Sequence, residues 1–484
     1  MLAILLAMFE GWGQSLVFLA GLLLQVCLAA LVLVRGPQRQ SSALAWILFV
    51  LLLPGFGAAC FFLFGDVRTG SRHRRRHREI VTRVRAVMAR MPDATPAHDL
   101  PDALRPIANL GHLVGETEPR GGNRLELHSD TARFVAALVA DLDAAADHCH
   151  VLTYIFLDDE SGRAVAGALV RAAARGVRCR LLVDAAGSQA FLASELRREL
   201  ERGGVRVVAA LPRLRLGSGR MDLRNHRKIA VVDGRVAYTG SHNVAAASFA
   251  PKPRFAPWVD ATVRIEGPAV RDLQELFVQD WYLDARETLE ECLAIAPPPH
   301  AGGIPVQVIG TGPDSRHEAV VRLIQAAFHL AREELILTTP YFVPNEGTLD
   351  ALMTAAERGV RTVLVVPRRN DSRLVAAASR SLYEPLLEAG VAIHEYTRGL
   401  LHAKTITVDR SLALVSTANL DRRSFELNYE ASLLVFDSDF TARLRALQQT
   451  YLDAAVTIEP ARWARRSWPR RIAQNAAGVF APIL

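Results

Sequence analysis

HRKIAVVDGRVAYTGSHN runs from His226 to Asn243, and HAKTITVDRSLALVSTAN from His402 to Asn419. Both have the form H-x-K-x-x-x-x-D, and in both an asparagine stands seventeen residues after the histidine. In a strand, positions i and i+2 face the same side, so His226 projects with Lys228 and His402 with Lys404. An imidazole beside a compact ammonium offers proton transfer or attack next to a grip on a phosphate oxygen. Asp233 and Asp409 complete the motifs five residues beyond the lysines, at the strand end, where an aspartate braces a turn. One such copy is weak evidence, because a lone His-Lys pair on a strand is usually surface decoration. Two copies make coincidence untenable.

The chain around the motifs repeats as well. His150–Phe156 (HVLTYIF) reads as a buried strand, Arg163–Ala174 as a helix and Arg178–Asp184 as a strand. The same order returns at Leu335–Phe342, Leu349–Arg358 and Arg361–Val366, with ARGVRCRLLV at 174 matching ERGVRTVLVV at 357. A second match sets GGVRVV at 203 against AGVAIH at 389. The period is that of a duplicated α/β domain rather than a solenoid. The expected organisation is a first domain over 106–295, a proline-glycine linker over 296–305 (APPPHAGGIP) and a second domain over 306–458.

Composition bounds the rest. The 484 residues are half hydrophobic, with 57 basic against 50 acidic side chains and a net charge of +7. Disorder and a single small domain are excluded. Five cysteines without a C-x-x-C pair argue against a disulfide framework or zinc ribbon. His148 and His150 flank Cys149 but lack a second ligand cluster, so they read as structural. Only three basic residues are lysine, at 228, 252 and 404, and two of these lie inside the motifs.

The apolar residues gather at the start. Leu16–Val34 and Ala43–Phe64 carry no charge, and each is long enough to cross a hydrocarbon core of roughly 30 Å. A transmembrane hairpin over 1–66 is expected, with spans at about 16–34 and 43–64. A basic juxtamembrane linker (67–105) follows, in which residues 67–90 sum to +8. A basic-aromatic segment over 459–484 closes the chain, with Trp463 and Trp468 among five arginines between 462 and 471. Such segments suit an anionic membrane surface. The remainder sums to −1 once 67–90 is set aside, which disfavours nucleic acid. The positive-inside rule places the body on the cytoplasmic side of a multi-pass membrane protein.

On these motifs the chain resembles the phospholipase D superfamily and, within it, the bacterial cardiolipin synthases of membrane-hairpin type. The likeness extends to AWILFVLLLPGFGAACFFLFG from Ala45, RNHRK from Arg224, NLDRRSFELNYE from Asn419 and the terminal APIL. Two departures stand out: Ser416 replaces the usual glycine of the second motif, and GSHN replaces GG-x-N in the first. Both bear on loop fit.

The resemblance implies two α/β/α sandwiches related by a pseudo-two-fold axis, with one shared active site. It implies covalent catalysis by histidine without metal or other cofactor, with His226 attacking the phosphodiester and His402 acting as acid and base. Lys228, Lys404, Asn243 and Asn419 would surround the phosphate. Asp260 and Glu430, thirty-four and twenty-eight residues after their histidines, would each orient an imidazole. The implied partners are phosphatidylglycerol and anionic membrane lipid in a bacterial inner membrane, not nucleic acid, and oligomeric state is left open. Joining two phosphatidylglycerols into cardiolipin and glycerol is the expected reaction. A phospholipase D-type hydrolase, a membrane-tethered nuclease and a non-enzymatic adaptor stand as alternatives, because water and a lipid hydroxyl attack the same intermediate.

Overall fold

The computed structural model describes residues 19–34, 40–61, 65, 70–91, 100–211, 222–314 and 318–479. The chain divides into two compact units, one of residues 1–74 with 214–223, the other a body of 75–213 and 224–484.

The body is mixed α/β and its duplication is visible strand by strand. The first half contributes β1 (Arg120–His128), β2 (His148–Thr153), β3 (Arg178–Asp184), β4 (Arg206–Ala210), β5 (Ile229–Val232), β6 (Val236–Gly240) and β7 (Thr262–Glu266). They lie side by side as β1-β7-β6-β5-β2-β3-β4. The second half contributes β8 (Ile304–Thr311), β9 (Glu334–Thr338), β10 (Arg361–Pro367), β11 (Ala392–Tyr396), β12 (Thr405–Val408), β13 (Leu412–Ser416) and β14 (Asn428–Val435). Their order is β8-β14-β13-β12-β9-β10-β11, the first order with seven added to every strand number. β1 and β8 pair antiparallel, with Arg120 opposite Val306, so the halves share one continuous sheet.

Parallel neighbours need a crossover. α1 (Glu160–Ala174) supplies it between β2 and β3, and Asp159 caps it by accepting from the Gly162 amide. After β7 comes α2 (Val270–Ala285). α3 (Glu346–Glu357), capped by Asn345, crosses from β9 to β10, and α4 (Arg373–Ser381) follows β10. α5 (Ser438–Asp453) follows β14 as α2 follows β7, and α6 (Trp468–Val479) ends the described chain. Each half has its own apolar layer, around Leu169 and Val183 in the first and Phe328 and Leu364 in the second. A third layer joins them, in which Phe277 and Trp281 of α2 meet Leu433 of β14 and Phe440 and Leu444 of α5.

Two boundaries differ from the sequence expectation. The strand expected over 335–342 stops at Thr338, because Pro340 has no N–H to give a ladder, and Phe342–Val343 pairs with Leu420–Asp421 instead. The helix Arg105–Gly115, placed by sequence with the first domain, packs Ile107, Ala108 and Val114 into the core of the second half.

In the N-terminal unit, residues 19–34 are helical, and the second apolar stretch forms Gln40–Leu52 and Pro54–Cys60. Leu53 leaves helical geometry (φ −133°, ψ 70°) immediately before Pro54, dividing the run into helices of 13 and 7 residues. No helix among the described residues is long and apolar enough to cross a membrane. Residues 16–18, 62–64, 66–69, 92–99 and the terminal 480–484, which belong to the expected spans, linker and tail, lie outside the described residues.

Candidate active site

Each motif histidine stands at the end of a two-residue strand that pairs with the opposite half. Arg224–Asn225 runs parallel to Asn428–Tyr429, so the next residues in register are His226 and Glu430. Leu400–Leu401 runs parallel to Trp258–Val259, so the next are His402 and Asp260. The ladders continue through the histidine amides, His226 N–H donating to the Tyr429 carbonyl (2.9 Å) and His402 N–H to that of Val259 (2.7 Å). The side chains then meet. His226 Nδ1 lies 3.0 Å from both carboxylate oxygens of Glu430, and His402 Nδ1 lies 2.6 Å from Asp260 Oδ1. Both acids are found against a histidine, but the pairing is crossed: each histidine takes its acid from the other repeat, not from the one downstream of its own motif.

All four groups are buried, and burial sets their charge. It pushes the His226 imidazolium down to about 4, against the pull of Glu430. His402 likewise falls to about 4 through burial and the Lys404 charge, against Asp260. Burial alone would raise the acids, but the His226 ring and Lys228 outweigh it and hold Glu430 at about 2. The His402 ring brings Asp260 lower still. Around neutrality the pairs are therefore neutral imidazole and carboxylate. A carboxylate only accepts, so each Nδ1 carries the proton and each Nε2 keeps its lone pair. Glu430 is fixed further by the Thr417 hydroxyl and by Asn428 Nδ2 (3.1 Å).

The lysines sit behind the histidines. Lys228 Nζ donates to the His226 carbonyl (2.6 Å) and Lys404 Nζ to that of His402 (2.7 Å), and both are buried. Burial lowers Lys228 to about 8 and Lys404 to about 7, although Glu430 and Asp260 pull both upward.

Both histidines line one cleft of about 840 Å³, with Asn243 and Asn419. Asn243 Oδ1 accepts from the Ile155 amide (3.1 Å), which orients its NH₂ end. Asn419 Oδ1 is buried without a partner among the described residues. Asp233 and Asp409 are elsewhere. Asp233 accepts from the amides of Ala146, Asp147 and His148, and Asp409 from those of Arg332, Glu333 and Glu334, all at 2.7–2.9 Å. Each staples the start of β2 or β9 to the turn after its own motif strand. These motif members hold the fold at a distance from the cleft.

The two loop departures are accommodated differently. Gly240 closes β6 at φ +153°, where a Cβ would stand 2.4 Å from the Ala261 carbonyl. Ser416, its counterpart, turns its hydroxyl to Ser432 (2.8 Å) and accepts from the Ala418 amide (2.9 Å). In GSHN, His242 stacks on Phe134 at 4.6 Å and bonds Thr262. His148 and His150 are engaged by Asp147, Gln274 and Arg180, with Cys292 as a third nearby donor.

Sequence reasoning missed the aromatic walls. Tyr154 packs edge-on to His226 (4.8 Å between ring centroids) and Trp258 lies over His402 (4.6 Å). It also left Lys252 unassigned. Lys252 Nζ reaches Asp371 Oδ2 (2.6 Å) and Tyr341 Oη donates to Asp371 Oδ1 (2.8 Å), a bridge between the two halves on the cleft wall. Scarcity of lysine was the available signal for that residue.

Residues 138–281 and 324–450 match the family model described as cardiolipin synthase, PLD-like domain, and residues 25–65 match the phospholipase D-nuclease N-terminal model. Cardiolipin synthase A of Serratia proteamaculans is 35% identical over 92% of this chain and 93% of its own length. The enzyme of the same name from Yersinia pseudotuberculosis is 35% identical with the same coverage. Among solved structures, phosphatidylserine synthase of Haemophilus influenzae superposes with a TM-score of 0.59 at 14% identity, over 79% of this chain and all of that one. The last likeness concerns the fold.

Proposed function

We propose the reaction from an established premise: the chain belongs to the cardiolipin synthase family of the phospholipase D superfamily. It is a phosphatidyltransferase. Two molecules of phosphatidylglycerol enter, and cardiolipin and glycerol leave. Two phosphodiesters are present before and after, so no nucleotide energy source is needed.

His226 Nε2 attacks the phosphorus of the first phosphatidylglycerol, a P–N bond forms and the P–O bond to the glycerol head group breaks. His402, which takes up a proton on Nε2 as the anionic phosphodiester binds beside it, delivers that proton to the departing alkoxide and returns to neutral imidazole. It then takes the proton from a head-group hydroxyl of the second phosphatidylglycerol, whose oxygen attacks the phosphohistidine and frees His226. Lys228, Lys404, Asn243 and Asn419 stabilise charge on the phosphate oxygens, and the crossed carboxylates stabilise each imidazolium as it forms. The observation that carries this scheme is the pair of neutral, carboxylate-oriented imidazoles facing one cleft.

The N-terminal apolar stretches anchor the body to a bacterial inner membrane, with the body on the cytoplasmic face. The uncharged runs, the match over 25–65 and the arginines of 67–90 support that arrangement. Purified full-length protein in phosphatidylglycerol micelles should release glycerol and cardiolipin, and release of neither overturns the proposal. Phosphatidic acid as the main lipid product would make the chain a hydrolase. Trapped phosphohistidine should map to His226, and a label on His402 would reverse the two roles.

A further inference from the structure

Outside the catalytic cleft, a second opening of about 430 Å³ is lined by Arg254, Arg368, Arg369, Arg373 and Arg470, with Arg380 and Gln474. The acids nearby are already engaged. Glu395 holds Arg380, Glu384 holds Arg466 and Arg471, and Asp371 faces Lys252 and Tyr341. The first five arginines have no carboxylate partner among the described residues. Five guanidinium groups around one opening repel one another, and folding has supplied no anion to offset this. Gln474 adds a buried side chain to the lining, and its Oε1 has no partner among the described residues.

The surroundings are apolar and anchored. α6 packs along α4, with Ala477 against Ala378 and Gly478 close to Ser381, which fixes Arg470 opposite Arg369 and Arg373. Trp468, Ile472 and Val479 of the same helix are 73%, 57% and 76% exposed, and Leu374 of α4 is 43% exposed. Guanidinium forks match phosphate oxygens in pairs, and exposed tryptophan beside arginine is the composition of an interfacial segment.

We propose that this opening is a second, non-catalytic site for the phosphodiester of an anionic phospholipid, whose acyl chains lie along Trp468 and Ile472. The site goes beyond the transfer reaction and does not depend on it. The probe is brominated phosphatidylglycerol in neutral detergent micelles, added to the full-length His226→Ala protein. The signal is Trp468 fluorescence, taken as the difference from a Trp468→Phe control. Brominated phosphatidylglycerol should quench it, and brominated phosphatidylcholine at equal mole fraction should not. In the Arg369→Ala/Arg373→Ala/Arg470→Ala protein, with an unchanged melting temperature, half-quenching should need on the order of a hundredfold more lipid, at about a factor of five per arginine. The triple lysine replacement should recover only part of that loss, since it restores the charge but not the paired forks. Equal quenching by both lipids, or no shift in the alanine variant, would show apolar insertion alone and overturn the proposal. Displacement by millimolar inorganic phosphate would make it a free-anion site and overturn it too. Because His226→Ala does not turn over, this outcome is independent of which product the active enzyme makes.

Discussion

Glu430 of the second repeat fixes the imidazole of His226 of the first, at 3.0 Å and 204 residues away in sequence. Asp260 does the reverse for His402 across 142 residues. Neither half can therefore present a correctly oriented histidine by itself. Glu430→Gln replaces a charged acceptor with an amide of the same shape, which no longer stabilises the imidazolium and can select the wrong tautomer. Cardiolipin formation should fall by roughly 10²–10⁴-fold in Glu430→Gln and in Asp260→Asn, with KM little changed. Initial rates of glycerol release measure this. A loss below threefold in both would mean the carboxylates are structural.

This crossing also marks how far the sequence could be read. The motifs and the duplication were visible from H-x-K spacing and matching offsets, because those are local or periodic, and the two acids came from the family resemblance. Which acid serves which histidine was not, because it depends on two-residue parallel ladders formed between distant segments. The residues from 106 to 115, counted by sequence with the first domain, pack into the core of the second half, because apolar composition records burial and not against which half. Pro54 divides the second apolar run at a point where hydropathy alone reads straight through.

Burial gives a physical reason for lysine rather than arginine at 228 and 404. Each Nζ is held by its own histidine's carbonyl in a space closed by packed side chains. A guanidinium is larger and planar, and would displace the histidine backbone. Lys228→Arg and Lys404→Arg should each lower kcat by about 10²–10³-fold despite keeping the charge. A variant retaining a third of wild-type kcat would show that charge alone suffices.

Asp233 and Asp409 separate folding from chemistry. Each accepts three backbone N–H bonds, and both hold a left-handed backbone (φ +52° and +47°) that asparagine tolerates better than alanine. Asp233→Ala and Asp409→Ala should each destabilise the body by about 1–3 kcal/mol, with the asparagine variants milder. The kcat of the protein that remains folded, assayed well below its melting temperature, should stay within a few-fold of wild type. Thermal melts paired with active-site-normalised rates test this. A collapse of kcat at unchanged melting temperature would return these residues to the cleft.

The pH profile should follow from burial. Burial depresses both lysines, to about 8 for Lys228 and about 7 for Lys404, so their charge is lost as pH rises through that range. The phosphate grip weakens with it, and kcat/KM should decline on the alkaline side with apparent pKa values near 7 to 8. A bound phosphodiester is an anion and raises a neighbouring ammonium, so the alkaline limb of kcat should lie at higher pH than that of kcat/KM. On the acid side, attack needs neutral His226, whose depressed value of about 4 keeps it unprotonated well below the ordinary histidine range. Activity should therefore persist at pH 5, where an unperturbed imidazole with pKa ≈ 6.5 would be almost wholly protonated. Initial rates between pH 4 and 9, at low and saturating phosphatidylglycerol, separate the two limbs. An acid limb near 6.5 would mean that His226 is solvated in the working enzyme, and an alkaline limb above 10 that the lysines are.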